Sequence, residues 1–413
     1  MSRRVRHASS LLALGAIATI AILFVGGLSH ATGAAAPCAA RTITTYRAAA
    51  LSVARHIAGG ERGGTAVERA LKTIESDRVL AAALAAGDSA AVHAQMLVLL
   101  YNHEHIVRIR VLRGGRLVDD VGGPFVLAPV RGLLRQGGRV VGSFLMSIQD
   151  DMGYRLLLAR LAGVHSVITY NGQTVMRDLT VGPRQLGAAS VRVGTTRYLV
   201  ASLRIGRFPS GTLRVYVLLA APPASMAHVP CDQVRADELA GVARNAYEEA
   251  LGGQQIARAL HTIARAATLR AALATGDYAT ADQVIRSLVR SGGFARLRVF
   301  ARGHLVAEAG SSRELIAPVS RPLRDDAGKV YGRALFTAQS AHGYADLAHF
   351  LTGEPVLVRS GRLQLAGTFA GPPSLPRSGA LDYGGVSYRV ASFAGERFPS
   401  GPLRVYVLIP TRS

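Results

Sequence analysis

Apolar residues between Arg41 and Gly59 fall at helical spacing: Ile43, Tyr46, Ala50, Val53, Ala54 and Ile57 share one face, which predicts a long amphipathic helix. Gly59-Gly60 and Gly63-Gly64 are expected to interrupt it. A second helix is predicted through Val67, Ala70, Leu71 and Ile74, and a third over Leu80 to Ala86, closed by Gly87-Asp88. Ser89 suits the N-cap of a fourth, running to Leu100. Alternation then replaces the helical period. Strands are expected at Ile106 to Leu112, Arg116 to Asp119, Phe125 to Val130, Val140 to Ile148, Val164 to Tyr170, Arg197 to Leu203 and Leu213 to Leu219. Gly114-Gly115, Asn171-Gly172 and Pro209-Ser210-Gly211 supply turns between them, and one helix, Tyr154 to Ala162, breaks the run. Several strands are joined by turns too short for a parallel crossover, so the sheet cannot be parallel throughout.

The whole pattern is written twice. Gly138 to Gly163 (GRVVGSFLMSIQDDMGYRLLLARLAG) returns 190 residues later as Gly328 to Gly353 (GKVYGRALFTAQSAHGYADLAHFLTG). Val67 to Asp88 is echoed by Ile256 to Asp277, and the RFPSG stretch from Arg207 by the one from Arg397. A proline-bearing linker, 220–230, separates the copies. The expected organisation is a hydrophobic segment at 1–31, a first domain at 38–219, the linker, and a second domain at 231–413. The fold class is α+β: in each domain long N-terminal helices precede an antiparallel sheet of about five or six strands with one helix mid-sheet.

Arg3, Arg4, Arg6 and His7 precede an uncharged run from Leu11 to Leu28. A positive stretch ahead of an apolar one is the pattern of a signal peptide or an N-terminal hydrophobic anchor helix, its length on the border between the two. Ser29-His30-Ala31 suits cleavage after Ala31. The folded part is expected outside: anchored to the cytoplasmic membrane if the segment stays, secreted if it is cleaved. Two cysteines in an exported chain suggest a disulfide. Cys38 and Cys231 each follow a proline and each opens a repeat, so a bridge between them would staple matching ends, the alternative being free or intermolecular thiols.

Basic residues outnumber acidic ones 48 to 26, a net charge of +22, and lysine occurs only at Lys72 and Lys329. A GC-rich coding sequence accounts most simply for the arginine bias. Such a surface still favours acidic small ligands, anionic headgroups or anionic envelope polymers. Nucleic acid is not an expected partner: there is no Trp, no basic run beyond the N-terminus and no aromatic-rich binding motif.

The helix that follows the hydrophobic segment, the Ala-Pro-Val strands (Ala128 to Val130, Ala317 to Val319) and the Gly-containing strand with its helix together resemble the Cache/PDC family of extracellular, PAS-like sensor domains, in two tandem copies. The resemblance implies a small-ligand pocket in each domain, between one sheet face and the loops and helices that cover it. The aromatic, arginine and aspartate set of amino-acid-binding members has no match here, and no cytoplasmic output is seen, so such a sensor either passes its state to another protein, such as a membrane-embedded signalling partner, or merely binds.

Within the duplicated motif, Gln149, Asp150, Asp151 and Tyr154 concentrate hydrogen-bonding groups where an apolar strand hands over to a helix, and so form a candidate pocket rim. The second copy has Gln339, His342 and Tyr344 there, with Ser340-Ala341-His342 replacing Asp150-Asp151-Met152. The competing reading makes the aspartates helix caps and the tyrosine core. Tyr198 and Tyr388 match across the copies on a strand, where pocket or core would suit them. Asn102-His103-Glu104-His105 resembles a metal cluster but lacks partners, and a solvated loop is the better reading. No Gly-x-Ser-x-Gly elbow, zinc-ligand spacing or phosphate loop occurs, so neither enzyme nor cofactor is expected. The function expected is extracytoplasmic binding of a small-molecule ligand, acidic ones among the candidates, in a sensory role. The alternative is a structural or adhesive envelope protein that binds anionic polymers.

Overall fold

The structure is a computed structural model that describes residues 42–102, 106–124, 126–222, 224–291, 293–325 and 327–411. The hydrophobic segment, Cys38 and His103 to His105 lie outside these residues. Residues 37–413 make one compact unit.

Helix α1 (Thr42–Gly63) is followed by α2 (Thr65–Glu75), α3 (Arg78–Ala86) and α4 (Ser89–Asn102). Contrary to expectation, α1 runs straight through Gly59 and Gly60. Gly60 serves packing: a Cβ there would stand 2.6 Å from the Phe350 ring. Asp77 caps α3 by accepting the Leu80 N–H at 2.8 Å, and Gly87 ends it in the left-handed region, φ 78°. The α4 cap falls to Asp88, which accepts the Ala91 N–H at 3.0 Å, so Ser89 is the first helical residue and not the cap.

Strands β1 (Arg108–Arg113), β2 (Arg116–Gly122), β3 (Val130–Gln136) and β4 (Arg139–Ser147) form one antiparallel sheet, in the order β2-β1-β4-β3. Helix α5 (Asp151–Leu157) continues through a π-helical turn, Leu158–Ala162, to Gly163. A second antiparallel sheet follows, ordered β6-β5-β9-β8-β7 and built from β5 (His165–Tyr170), β6 (Gln173–Arg177), β7 (Ser190–Val193), β8 (Thr196–Gly206) and β9 (Thr212–Ala220).

The second copy lays down the same plan. Its helices are α6 (Cys231–Gly252), α7 (Gln254–Ala264), α8 (Ala267–Thr275) and α9 (Tyr278–Ser291). Strands β10 (Arg296–Ala301), β11 (His304–Gly310), β12 (Leu315–Ile316), β13 (Val319–Arg324), β14 (Val330–Thr337) and β15 (Gln339–Ser340) precede α10 (Ala341–Thr352). Strands β16 (Val356–Ser360), β17 (Leu363–Gly367), β18 (Gly379–Tyr383), β19 (Val386–Glu396) and β20 (Pro402–Pro410) complete it. The larger sheets are ordered β11-β10-β14-β13 and β17-β16-β20-β19-β18, with β12 and β15 paired separately.

The α+β class is therefore observed, with one difference from the expected single sheet per repeat. Each repeat has two larger sheets, and the duplicated motif bridges them: its strand is an interior strand of the four-stranded sheet and its helix leads into the five-stranded one. The Ala-Pro-Val segment makes the switch. Ala128 and Ala317 take positive φ values of 47° and 54°, and their N–H groups donate to Gly206 (2.9 Å) and Glu396 (3.1 Å) in the five-stranded sheets. A left-handed conformation at a residue with a Cβ costs about 1–2 kcal/mol. Here the kink is held by hydroxyls: Ser147 donates to the Leu127 carbonyl, and Thr337 to that of Ile316.

The largest apolar core is shared by both repeats. It contains Val53 and Ile57 of α1, Leu239 and Ala243 of α6, Tyr154, Tyr344, and inward residues of both five-stranded sheets such as Val215 and Val405. Smaller cores lie beneath the two four-stranded sheets.

Candidate functional site

The duplicated motif is placed as scaffold. Tyr154 is 1% exposed and its hydroxyl donates to the Ala54 carbonyl at 2.9 Å. Tyr344 does the same to Ala243 at 2.6 Å. Each tyrosine thus locks its helix onto α1 or α6. Asp150 caps α5 by accepting the Gly153 N–H at 2.6 Å. Asp151 is buried and accepts the Met152 N–H, and that burial raises its carboxyl above the usual range. Gln149 is buried against Gly153, and Gln339 pairs with Ile316 in the β12–β15 bridge. His342 is exposed. Tyr198 meets His165 edge-on at 5.5 Å, and Tyr388 stacks on Phe369 at 6.4 Å. None of these nine residues lines any of the four cavities described below.

Open space gathers instead on the outer face of the first repeat's five-stranded sheet. On β8 and β9 the residues alternate: Leu203, Ile205, Leu213, Val215 and Val217 enter the shared core. Ser202, Arg204, Arg214 and Tyr216 take the opposite face. The far end of that face is covered by Val181 and Leu186 of the β6–β7 connection, packed on Val167, Val200 and Leu218. The near end is uncovered. Strand β7 pairs with β8 only as far as Leu199, so β8 from Ala201 to Ile205 has a strand neighbour on one side alone, before the Leu127–Ala128 segment meets it at Gly206.

Three adjoining cavities result. One of about 450 Å³ is lined by Arg55, Ala58, Ser202, Leu203, Arg204 and Arg214. The next, about 380 Å³, shares Arg204 and Arg214 and adds Thr169, Asn171, Gly172, Thr212 and Tyr216. The third, about 250 Å³, has Arg47 beside Ser202 and Tyr216. Shared walls make them one trough along the free edge of β8.

Its charge is one-sided. Arg47, Arg55, Arg204 and Arg214 contribute to the walls, and no carboxylate does. None of the four has an ion-pair partner among the described residues. Arg204 and Arg214 stand directly opposite each other across β8 and β9. Like charges in that position destabilise a sheet unless something takes up their donors. Two guanidinium forks about 5 Å apart at Cβ, in a concave setting with Ser, Thr and Tyr hydroxyls, can hold a carboxylate or phosphate group by charge-assisted hydrogen bonds. Arg204 lies one residue past the strand expected at Arg197 to Leu203, so its pairing with Arg214 emerges only because β8 runs on to Gly206.

A further cavity of about 460 Å³ lies in the second repeat and differs in character, because Glu396 joins Arg298 and Arg333 in its walls. Among the described residues no group of three or more His, Cys, Asp or Glu is placed to hold a metal ion. No helix among them is long and apolar enough to cross a membrane.

No protein-family model matches the chain, and no curated protein matches it. Among solved structures, the Vibrio cholerae LuxQ periplasmic domain is similar over 43% of this chain and 98% of its own length, with 12% identity and a TM-score of 0.31. An extracellular ligand binding receptor from Desulfohalobium retbaense is similar over 43% of this chain and 39% of its own, with 11% identity and a TM-score of 0.24. Similarity at that level carries no weight for function, which rests on the residues themselves.

Proposed function

We propose that this chain is an exported, extracytoplasmic ligand-binding protein of sensory type, built from two tandem Cache-like domains, and that the first of them captures a small anion. One observation carries the reading: Arg204 and Arg214 face each other across two strands, without counterions, on the wall of a concave trough. The arginine-leader and apolar run at the N-terminus support export, and the long α1 helix emerging after it supports coupling to a membrane-embedded partner. We read the site as one of binding: its guanidinium forks and hydroxyls are donors suited to holding an oxyanion.

Thermal-shift measurements on the full chain with carboxylates and phosphates test it. Stabilisation by a small anion that disappears in Arg204→Ala/Arg214→Ala supports the reading, and no stabilisation by any anion overturns it.

The openness of the trough favours a second reading, capture of an anionic envelope polymer. Arg47 and Arg55 are eight residues apart on α1, about 12 Å along the helix, so a polyanion could follow them past β8. Binding that strengthens with polymer length and collapses in salt, with no small-molecule response, would select it.

A further inference from the structure

The duplicated chain contains the counterpart of this site, and the two copies differ in what fills it. With an offset of 190 residues, Thr169 corresponds to Arg359, Ser202 to Ser392, Arg204 to Ala394, Arg214 to Arg404 and Tyr216 to Tyr406. The registers agree: Thr169 lies opposite Arg214 on β5 and β9, and Arg359 opposite Arg404 on β16 and β20. Each repeat therefore places two arginines opposite one another on this face, but in different strand pairs.

In the second repeat both arginines have partners. Arg359 is 4% exposed, and its guanidinium donates to the carbonyls of Pro372 and Pro373 in the β17–β18 connection, the latter at 3.1 Å. Gln364 pins the same loop, donating to Phe369 at 2.8 Å and accepting from Gly371 at 3.1 Å. Arg404 donates to the Ser392 hydroxyl at 3.2 Å, and that hydroxyl donates to the Arg377 carbonyl at 2.6 Å. Tyr406 is buried at 8% exposure, whereas Tyr216 is half-buried on the wall of an open cavity. In the first repeat the Thr169 hydroxyl donates to the Arg214 carbonyl at 3.5 Å, and Arg204 and Arg214 keep no acidic partner among the described residues.

We propose that the second repeat's counterpart site is closed by the chain's own Arg359, so that the protein takes one oxyanion ligand, at Arg204 and Arg214, and not one per repeat. This rests on the anion-binding reading above. Arg359 is a specificity-determining residue of the duplicated fold: it is buried where the first repeat has the shorter Thr169, and its two terminal nitrogens donate to loop carbonyls, while its buried Nε has no partner among the described residues. Ala394 removes the second half of the fork, so the closed site also lacks the arrangement that would grip an anion.

Isothermal titration of the full chain with succinate and, separately, inorganic phosphate tests this. The expected result is one equivalent of at least one anion, with Arg204→Ser/Arg214→Ser weakening uptake about tenfold or more. Succinate alone would assign a carboxylate ligand and phosphate alone a phosphoryl ligand, and either supports the proposal. The paired exchange Arg359→Thr/Ala394→Arg rebuilds the open site in the second repeat and should raise the stoichiometry from one to two. Two equivalents on the unaltered chain, or one strong equivalent surviving in Arg204→Ser/Arg214→Ser, overturns the proposal while leaving anion binding intact. A folded exchange variant that still takes one equivalent also overturns it. Should that variant fail to fold, the unaltered chain and the serine variant decide. Uptake of neither anion overturns the anion-binding reading, and this proposal with it.

Discussion

Arg204 and Arg214 are direct cross-strand partners on β8 and β9, whereas in the second repeat Arg404 faces Ala394. The first repeat carries its facing arginines on this hairpin, whereas the second carries Arg359 opposite Arg404 on β16 and β20 instead. Arg204→Ala should therefore stabilise the free protein by about 0.2–1 kcal/mol in urea unfolding at low salt, while weakening its response to anions. A destabilised variant would show that the pair belongs to the scaffold.

Tyr154 and Tyr344 fasten the two central helices in the same way, each hydroxyl on a helix carbonyl. Tyr154→Phe and Tyr344→Phe should each cost about 0.5–1.5 kcal/mol in chemical unfolding. Neither should alter anion uptake, because neither residue touches the trough.

Gly142 and Gly332 occupy equivalent places in the duplicated motif, and both face the backbone of a neighbouring strand. A Cβ at Gly142 would collide with Leu84 and stand 2.5 Å from the Leu112 carbonyl, and one at Gly332 would stand 2.8 Å from that of Phe300. Gly142→Ala should cost about 1–3 kcal/mol, read as a lower thermal midpoint. Gly138, at φ 81° with open space around it, is required for its conformation and not for room.

Burial pushes the carboxyl of Glu61 on α1 up to about 7, and that of Glu238 on α6 likewise, although a hydrogen bond from Tyr46 opposes the shift at Glu238. Both values exceed the roughly 4.3 of an unfolded glutamate, so between these limits the native state binds more protons than the unfolded chain. The stability they confer is present at low pH and lost as pH rises through about 7. Thermal midpoints should fall between about pH 4.5 and pH 8, and Glu238→Gln should flatten that slope. Asp120 and Glu308 act in the opposite sense. Burial would raise them, but hydrogen bonds from Arg108 and Arg110, and from Arg298 and Arg296, hold them below the usual range, so their contribution fades in acid.

Cys231 opens α6 directly after Pro230, and no free cysteine is found among the described residues. Peptide mapping without reductant is expected to recover Cys231 joined to Cys38. Reduction should then lower stability by about 2–4 kcal/mol, whereas two free thiols would remove the staple from the account.

Much of the fold is legible along the chain because its causes are local. Helical spacing, the Gly87 stop and turn chemistry placed most elements, and the 190-residue repeat announced two matching α+β units. The same repetition marked the Gln149 to Tyr154 motif, yet recurrence there reflects a packing need: Tyr154 must reach Ala54, and Tyr344 must reach Ala243. Only the tertiary structure decided that each repeat holds two sheets, because the kink at Ala128 or Ala317 depends on carbonyls in strands that come far later in the chain. It also decided where the open face lies. That depends on β7 ending its pairing at Leu199, on how far a covering loop extends, and on whether position 169 or its counterpart 359 reaches that loop. These are relations between residues distant in sequence, and no single-residue pattern encodes them.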